Sequence, residues 1–187
     1  NISTSGAGVA GTITLNSDAN PVTLGVITTT NGGGLTITHS NQLVIVGAGN
    51  LAGAFRENGG GTVSLNGAIT SGSGGFNFGG TLTVSGNASL VANGAGTITL
   101  NTVNRTAGTD TLSLQPVGGG VITLNNDIGG SGAFQQITLN SSGGVNQTAG
   151  TLTATTLQLL GTGPYTPATN VSNINSNGTT VSGAISI

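Results

Sequence analysis

The six residues GTITLN stand at 11–16 and again at 96–101, and the phrase returns as GTVSLN at 61–66, VITLNN at 121–126 and QITLN at 136–140. This alternation of apolar and hydroxyl residues, closed by asparagine, limits the possible folds more than any other feature. Period two puts Ile, Leu and Val on one side of an extended strand and Thr or Ser on the other. β-Branched residues on both sides favour that conformation. Similar tracts run through the chain, including LTIT 35–38, LVIV 43–46, TLTV 81–84, TLSL 111–114, TLTA 151–154, LQLL 157–160 and AISI 184–187. Between them lie NGGG 31–34, ENGGG 57–61, SGSGG 71–75, NGAG 93–96 and SSGG 141–144, where Gly and Asn tolerate sharp backbone bends. Helical periodicity is missing, and Lys is absent altogether. The chain is predicted to be all-β, with no helices.

Many short strands at short spacing also suit a sandwich or a propeller. Repetition shifts the balance: units that each bury a narrow apolar strip gain most by stacking on one another. A wide core is not expected, because the chain has four Phe, one Tyr and no Trp or Met to fill one. The predicted architecture is a parallel β-helix, or β-solenoid, with coils about 4.8 Å apart. A repeat of roughly 20–25 residues gives about eight coils, read as one solenoid segment over 1–187. Equivalent positions are expected at Ile13, Ile37 and Val63, and at Ile98 and Ile122. Ile137 follows Ile122 too closely for a full coil and belongs to another face of the same one. The asparagines that close the strands, Asn16, Asn66, Asn101, Asn125 and Asn140, are predicted to stack amide on amide as a structural ladder.

The composition closes off several functions. Disorder normally comes with low hydrophobicity and high net charge, whereas this chain is 35% hydrophobic with a net charge of -2. Two arginines and no lysine cannot neutralise a phosphate backbone, so nucleic acid is not an expected partner. Without cysteine there are no disulfides and no thiolate metal sites. No apolar run approaches the roughly 20 residues of a membrane-spanning helix. With neither an initiator Met nor a signal peptide, the chain reads as a piece of something longer. Joined head to tail, AISI 184–187 would continue into NIS 1–3 with the alternation intact. End-to-end stacking of copies, or covalent continuation of the same rod, is therefore expected.

Residues 122–165, ITLNNDIGGSGAFQQITLNSSGGVNQTAGTLTATTLQLLGTGPY, carry a family resemblance, as does the tail NVSNINSNGTTVSGAISI, 170–187. Both are similar to the repeats of filamentous-haemagglutinin-like adhesins. The shared phrases are ITLN before a Gly/Ser turn, then QTAGTLT, then a strand closing in LLGTG, with a second middle phrase at NRTAGTDTLSL 104–114. The resemblance implies a right-handed parallel β-helix from the rod of a very long bacterial surface protein exported by two-partner secretion. It further implies an extracellular or cell-surface location, an adhesive or structural role, and no catalytic residues. The secretion domain of that family is not evident here.

Glycoside hydrolysis needs paired carboxylates, but Asp18, Glu57, Asp110 and Asp127 are scattered and lie near turns. An enzyme is not expected, and no cofactor is implied. Arg105 and Asp110, five apart, permit a surface pair at most. His39 has no second histidine, cannot build a metal site alone, and reads as a solvated turn residue. Phe55, Phe76, Phe78, Phe134 and Tyr165 fall near turns and are expected to plug coil corners rather than form a carbohydrate platform. Thr-x-Thr at 12–14, 36–38, 81–83, 97–99 and 151–153 makes an ice-binding solenoid the alternative function. Glycosylation at N-x-[ST] sites such as Asn87, Asn104, Asn146 and Asn170 stays open.

Overall fold

The computed structural model describes residues 2–3, 12–17, 20–46 and 48–176. All the strand pairing within it is parallel, and no helix occurs among these residues. The head-to-tail continuity through AISI 184–187 lies outside the described residues.

The chain winds as a β-solenoid in which each coil contributes to three stacked ladders. The first ladder is a seven-stranded sheet of Ile13–Ser17, Leu35–His39, Phe55–Glu57, Phe76–Phe78, Ile98–Leu100, Ile122–Leu124 and Val145–Gln147. Its register stacks Ile13, Leu35, Phe55, Phe76, Ile98, Ile122 and Val145 in one row. Tyr165 extends that row through a bridge to Val145 and supplies an eighth coil. Successive members are 20 to 24 residues apart.

The other two ladders belong to a single large sheet. One stacks Val22, Leu43, Val63, Leu82, Val103, Ile128 and Leu152. The other stacks Ile27, Gly49, Ile69, Leu90, Leu114, Leu139 and Leu159. The long strands Thr62–Ser71, Thr81–Ala92 and Leu152–Leu160 pass through both. In Thr81–Ala92 the register shifts between Val84 and Ala88, where Gly86 has a positive φ of 87° and turns the chain from one face to the next.

This arrangement corrects the expected equivalences. Ile13 pairs with Leu35, while Ile37 pairs with Leu15. Val63 lies on a different face from both. Ile98 and Ile122 are direct partners, and Ile137 sits on the third ladder of the coil that Ile122 opens. The hexapeptide is therefore a strand-and-bend unit used on all three faces and does not mark the coil.

The core is a narrow column of Ile, Leu and Val, joined on the first face by aromatics. Phe55, Phe76, Phe78, Phe134 and Tyr165 are all buried. Three of them lie within the first-face strands, with Phe55 and Phe78 rings 5.0 Å apart and Phe55 and Phe76 rings 6.1 Å apart. Burying a Phe side chain contributes about 1.5–3 kcal/mol, and tilted ring pairs add about 0.5–1.5 kcal/mol each.

Candidate functional site

The strand alternation that buries Leu35 and Ile37 also turns His39 inward, and the one that buries Phe55 turns Glu57 inward. Both side chains are fully enclosed, and His39 Nε2 lies 3.0 Å from Glu57 Oε1. The solvated turn histidine expected from the sequence is thus a core residue, and Glu57 is not a turn carboxylate. On its far side His39 Nδ1 donates to the Asn41 carbonyl at 2.8 Å. Glu57 Oε2 accepts from the Gly80 amide at 2.8 Å, and Oε1 accepts from the Gly59 amide. Beyond their mutual contact, these hydrogen bonds fix backbone at the corner between the first and second faces.

Glycine makes that corner possible. A methyl on Gly61 would lie 2.7 Å from His39 Nδ1 and would overlap the Asn41 carbonyl oxygen; one on Gly59 would lie 2.8 Å from Glu57 Oε1. Above the corner a shallow groove crosses four successive coils, from Ser40, Asn41 and Gln42 through Gly60, Gly61, Thr62 and Ser64 to Thr83 and Thr106. Gln42 Nε2 donates to Ser64 Oγ across 3.3 Å, tying two of those coils together.

Asp110 anchors the groove's far end. Its Oδ2 accepts from the Thr106 and Ala107 amides and the Thr106 hydroxyl, and its Oδ1 accepts from the Gly86 amide at 2.9 Å. Burial by itself would raise the Asp110 carboxyl, but the hydrogen bonds from Ala107, Gly86 and Thr106 outweigh it and hold the group below its ordinary value. Asp110 is a turn brace, in place of the surface pair with Arg105 that the spacing had allowed.

The five strand-closing asparagines occupy three different ladders. Asn101 and Asn125 follow adjacent first-face strands, and Asn125 Nδ2 donates to Asn101 Oδ1 at 3.1 Å. The row continues to the Thr148 hydroxyl, 3.2 Å from Asn125 Oδ1. Asn16 pairs with Thr38 at the other end of that sheet. Asn66 pairs with Val46 on the second ladder, and Asn140 with Leu160 on the third. Other coil-to-coil amide and hydroxyl contacts are Gln136 with Gln158 at 3.0 Å and Thr111 with Asn87 at 2.8 Å.

On the outer side of the first face, the row reached by three of the five Thr-x-Thr tracts runs Thr14, Thr36, Arg56, Asn77, Thr99, Thr123 and Asn146, while the tracts at 81–83 and 151–153 lie on the second ladder. No three threonines are consecutive in it. The described residues include no group of three or more His, Cys, Asp or Glu arranged to hold a metal ion. No helix among them is long and apolar enough to cross a membrane. No protein-family model, curated protein or solved structure matches the chain.

Proposed function

We propose that this chain is a segment of an extracellular structural or adhesive rod at a bacterial surface, of the kind that filamentous-haemagglutinin-like adhesins build. The observation that carries this reading is the pairing of a continuous parallel ladder with an exterior of amides and hydroxyls. Backbone hydrogen bonds between every pair of neighbouring coils give stiffness along the axis. With two basic and four acidic residues in all, the outer rows remain hydrated through neutral groups and present them to a cell-surface or carbohydrate target. Copies stack end to end into a homopolymer, or the coils continue covalently in a longer chain. In either case each coil adds about 4.8 Å of length.

Electron microscopy and fibre diffraction of the concentrated chain test this reading. Filaments with an axial reflection near 4.8 Å are the expected result, and compact monodisperse particles at every concentration would overturn it. Ice binding, the alternative, draws on the Thr-x-Thr tracts, and a thermal-hysteresis measurement separates the two. Growth arrest of ice by the monomeric chain would replace the rod reading.

A further inference from the structure

The solenoid core is built from interchangeable aliphatic rows, yet one position holds a buried carboxylate against a buried imidazole. Glu57 stands in register between Ile37 and Phe78, where a leucine would satisfy the row. A buried polar pair of this kind is rarely more stabilising than apolar residues of the same volume. Departures from a fold's own local rules concentrate at functional sites. What this pair does is fix backbone. It holds the Asn41 carbonyl and the Gly59 and Gly80 amides from beneath, and Asn41 and the 60–61 corner line the groove above.

We propose that this groove is a binding site for a neutral, hydroxyl-rich ligand, a short stretch of uncharged glycan, and that His39 and Glu57 are the positioning residues that shape its floor. The lining supplies hydroxyls from Ser40, Thr62, Ser64 and Thr83 and carboxamides from Asn41 and Gln42, with no charged or aromatic side chain. Hydroxyls and carboxamides both donate and accept, which matches sugar hydroxyls, while the lining offers no counter-charge to phosphate or sulfate. The lining spans three coil-to-coil steps, about 14 Å at the strand spacing, the length of roughly three sugar units. This deepens the adhesive reading and rests on it for its biological setting.

The test is a titration of the ¹⁵N-labelled chain with cellotriose, mannotriose and chitotriose, with a sulfated trisaccharide as the charged control. Saturable shifts centred on the amides of Asn41, Gln42, Gly60, Gly61 and Thr62 are expected with at least one neutral probe and not with the sulfated one. A Cβ on Gly60 would meet nothing within 4 Å, so Gly60→Phe fills the groove without entering the core and should weaken binding about tenfold or more. The double variant His39→Leu/Glu57→Leu keeps the row apolar; it should preserve strand signals while losing the saturable shifts. Absence of shifts with all three neutral probes, shifts elsewhere, or unchanged affinity in Gly60→Phe would each overturn the proposal. Gly60→Phe should still form filaments, so a failed titration leaves the rod standing and failed filaments leave the groove standing.

Discussion

Asp110→Asn isolates the contribution of one side chain to the junction of two coils. The carboxylate accepts four hydrogen bonds, three at Oδ2 within the 106–110 turn and one at Oδ1 from Gly86 in the preceding coil. An asparagine amide has a single oxygen. Its best orientation leaves that oxygen with the three turn donors and turns an NH₂ group toward the Gly86 amide, donor against donor. The variant therefore loses one charge-assisted hydrogen bond outright, leaves a buried N–H unpaired and weakens the other three. A hydrogen bond to a charged group is worth about 1.5–3 kcal/mol, so a loss of about 2–4 kcal/mol is expected at neutral pH.

The native carboxyl is held below its ordinary value. Its stabilisation is thus complete above the unfolded-state pKa, near 3.9, and is lost as pH falls through the lower folded-state value. Urea unfolding of both proteins at pH 7 and pH 3 measures the difference directly. It should be large at pH 7 and smaller at pH 3, where the unfolded wild-type chain is already binding the proton. Equal stability at pH 7, or a difference that does not shrink in acid, would refute the bracing role.

Three further outcomes are expected. Tyr165→Phe should lose about 1–2 kcal/mol, because the hydroxyl accepts from the Ser141 amide at 3.0 Å and donates to the Ser141 carbonyl at 2.9 Å. Burial raises the Tyr165 phenol despite the Ser141 hydrogen bond, so wild type should lose stability above pH 10 more steeply than Tyr165→Phe in alkaline unfolding curves. Gly61→Ala forces a methyl against the Asn41 carbonyl and His39 and should cost about 1–3 kcal/mol or more, read as a lower urea midpoint. Arg56 and Arg105 are the only trypsin-type sites, and both lie in paired strands. The folded chain should resist trypsin under conditions that cut the urea-unfolded chain at both.

Which residues form strands, and which side of each strand faces inward, could be read from alternation alone. TLSL 111–114 shows the reason: Leu112 and Leu114 are buried while Thr111 and Ser113 are half-exposed. The face a strand occupies could not be read, because the same grammar of strand, asparagine and glycine bend serves every corner. GTITLN at 96–101 and GTVSLN at 61–66 differ in face although they scarcely differ in sequence. The buried pair was half legible. LTITH 35–39 already turns His39 to the side of Leu35 and Ile37, and the Phe55 alternation does the same for Glu57. What argues against reading them as core is that charged side chains are almost never fully buried unless paired, and the partner, 18 residues on in sequence, is visible only once the two coils are stacked.

That pair bears on how the register is chosen at all. In rows of Ile, Leu and Val a two-residue slip between neighbouring coils is almost silent, since apolar residues still meet apolar residues on the same face. Placing Ile13 over Ile37 instead of Leu35 illustrates how little the aliphatic pattern objects. Residues that cannot be exchanged make such slips costly. A slip that sets Glu57 beside Leu35 carries it about 13 Å along the strand from His39 at roughly 3.3 Å per residue. Breaking a buried pair costs about 3–5 kcal/mol, far more than the aliphatic rows would register. The same slip takes Gly61 away from the Asn41 carbonyl and brings Val63, which carries a Cβ, against it. Together, the polar pair and the glycine contact discriminate against that error at the point where two short first-face strands, Leu35–His39 and Phe55–Glu57, provide little pairing of their own.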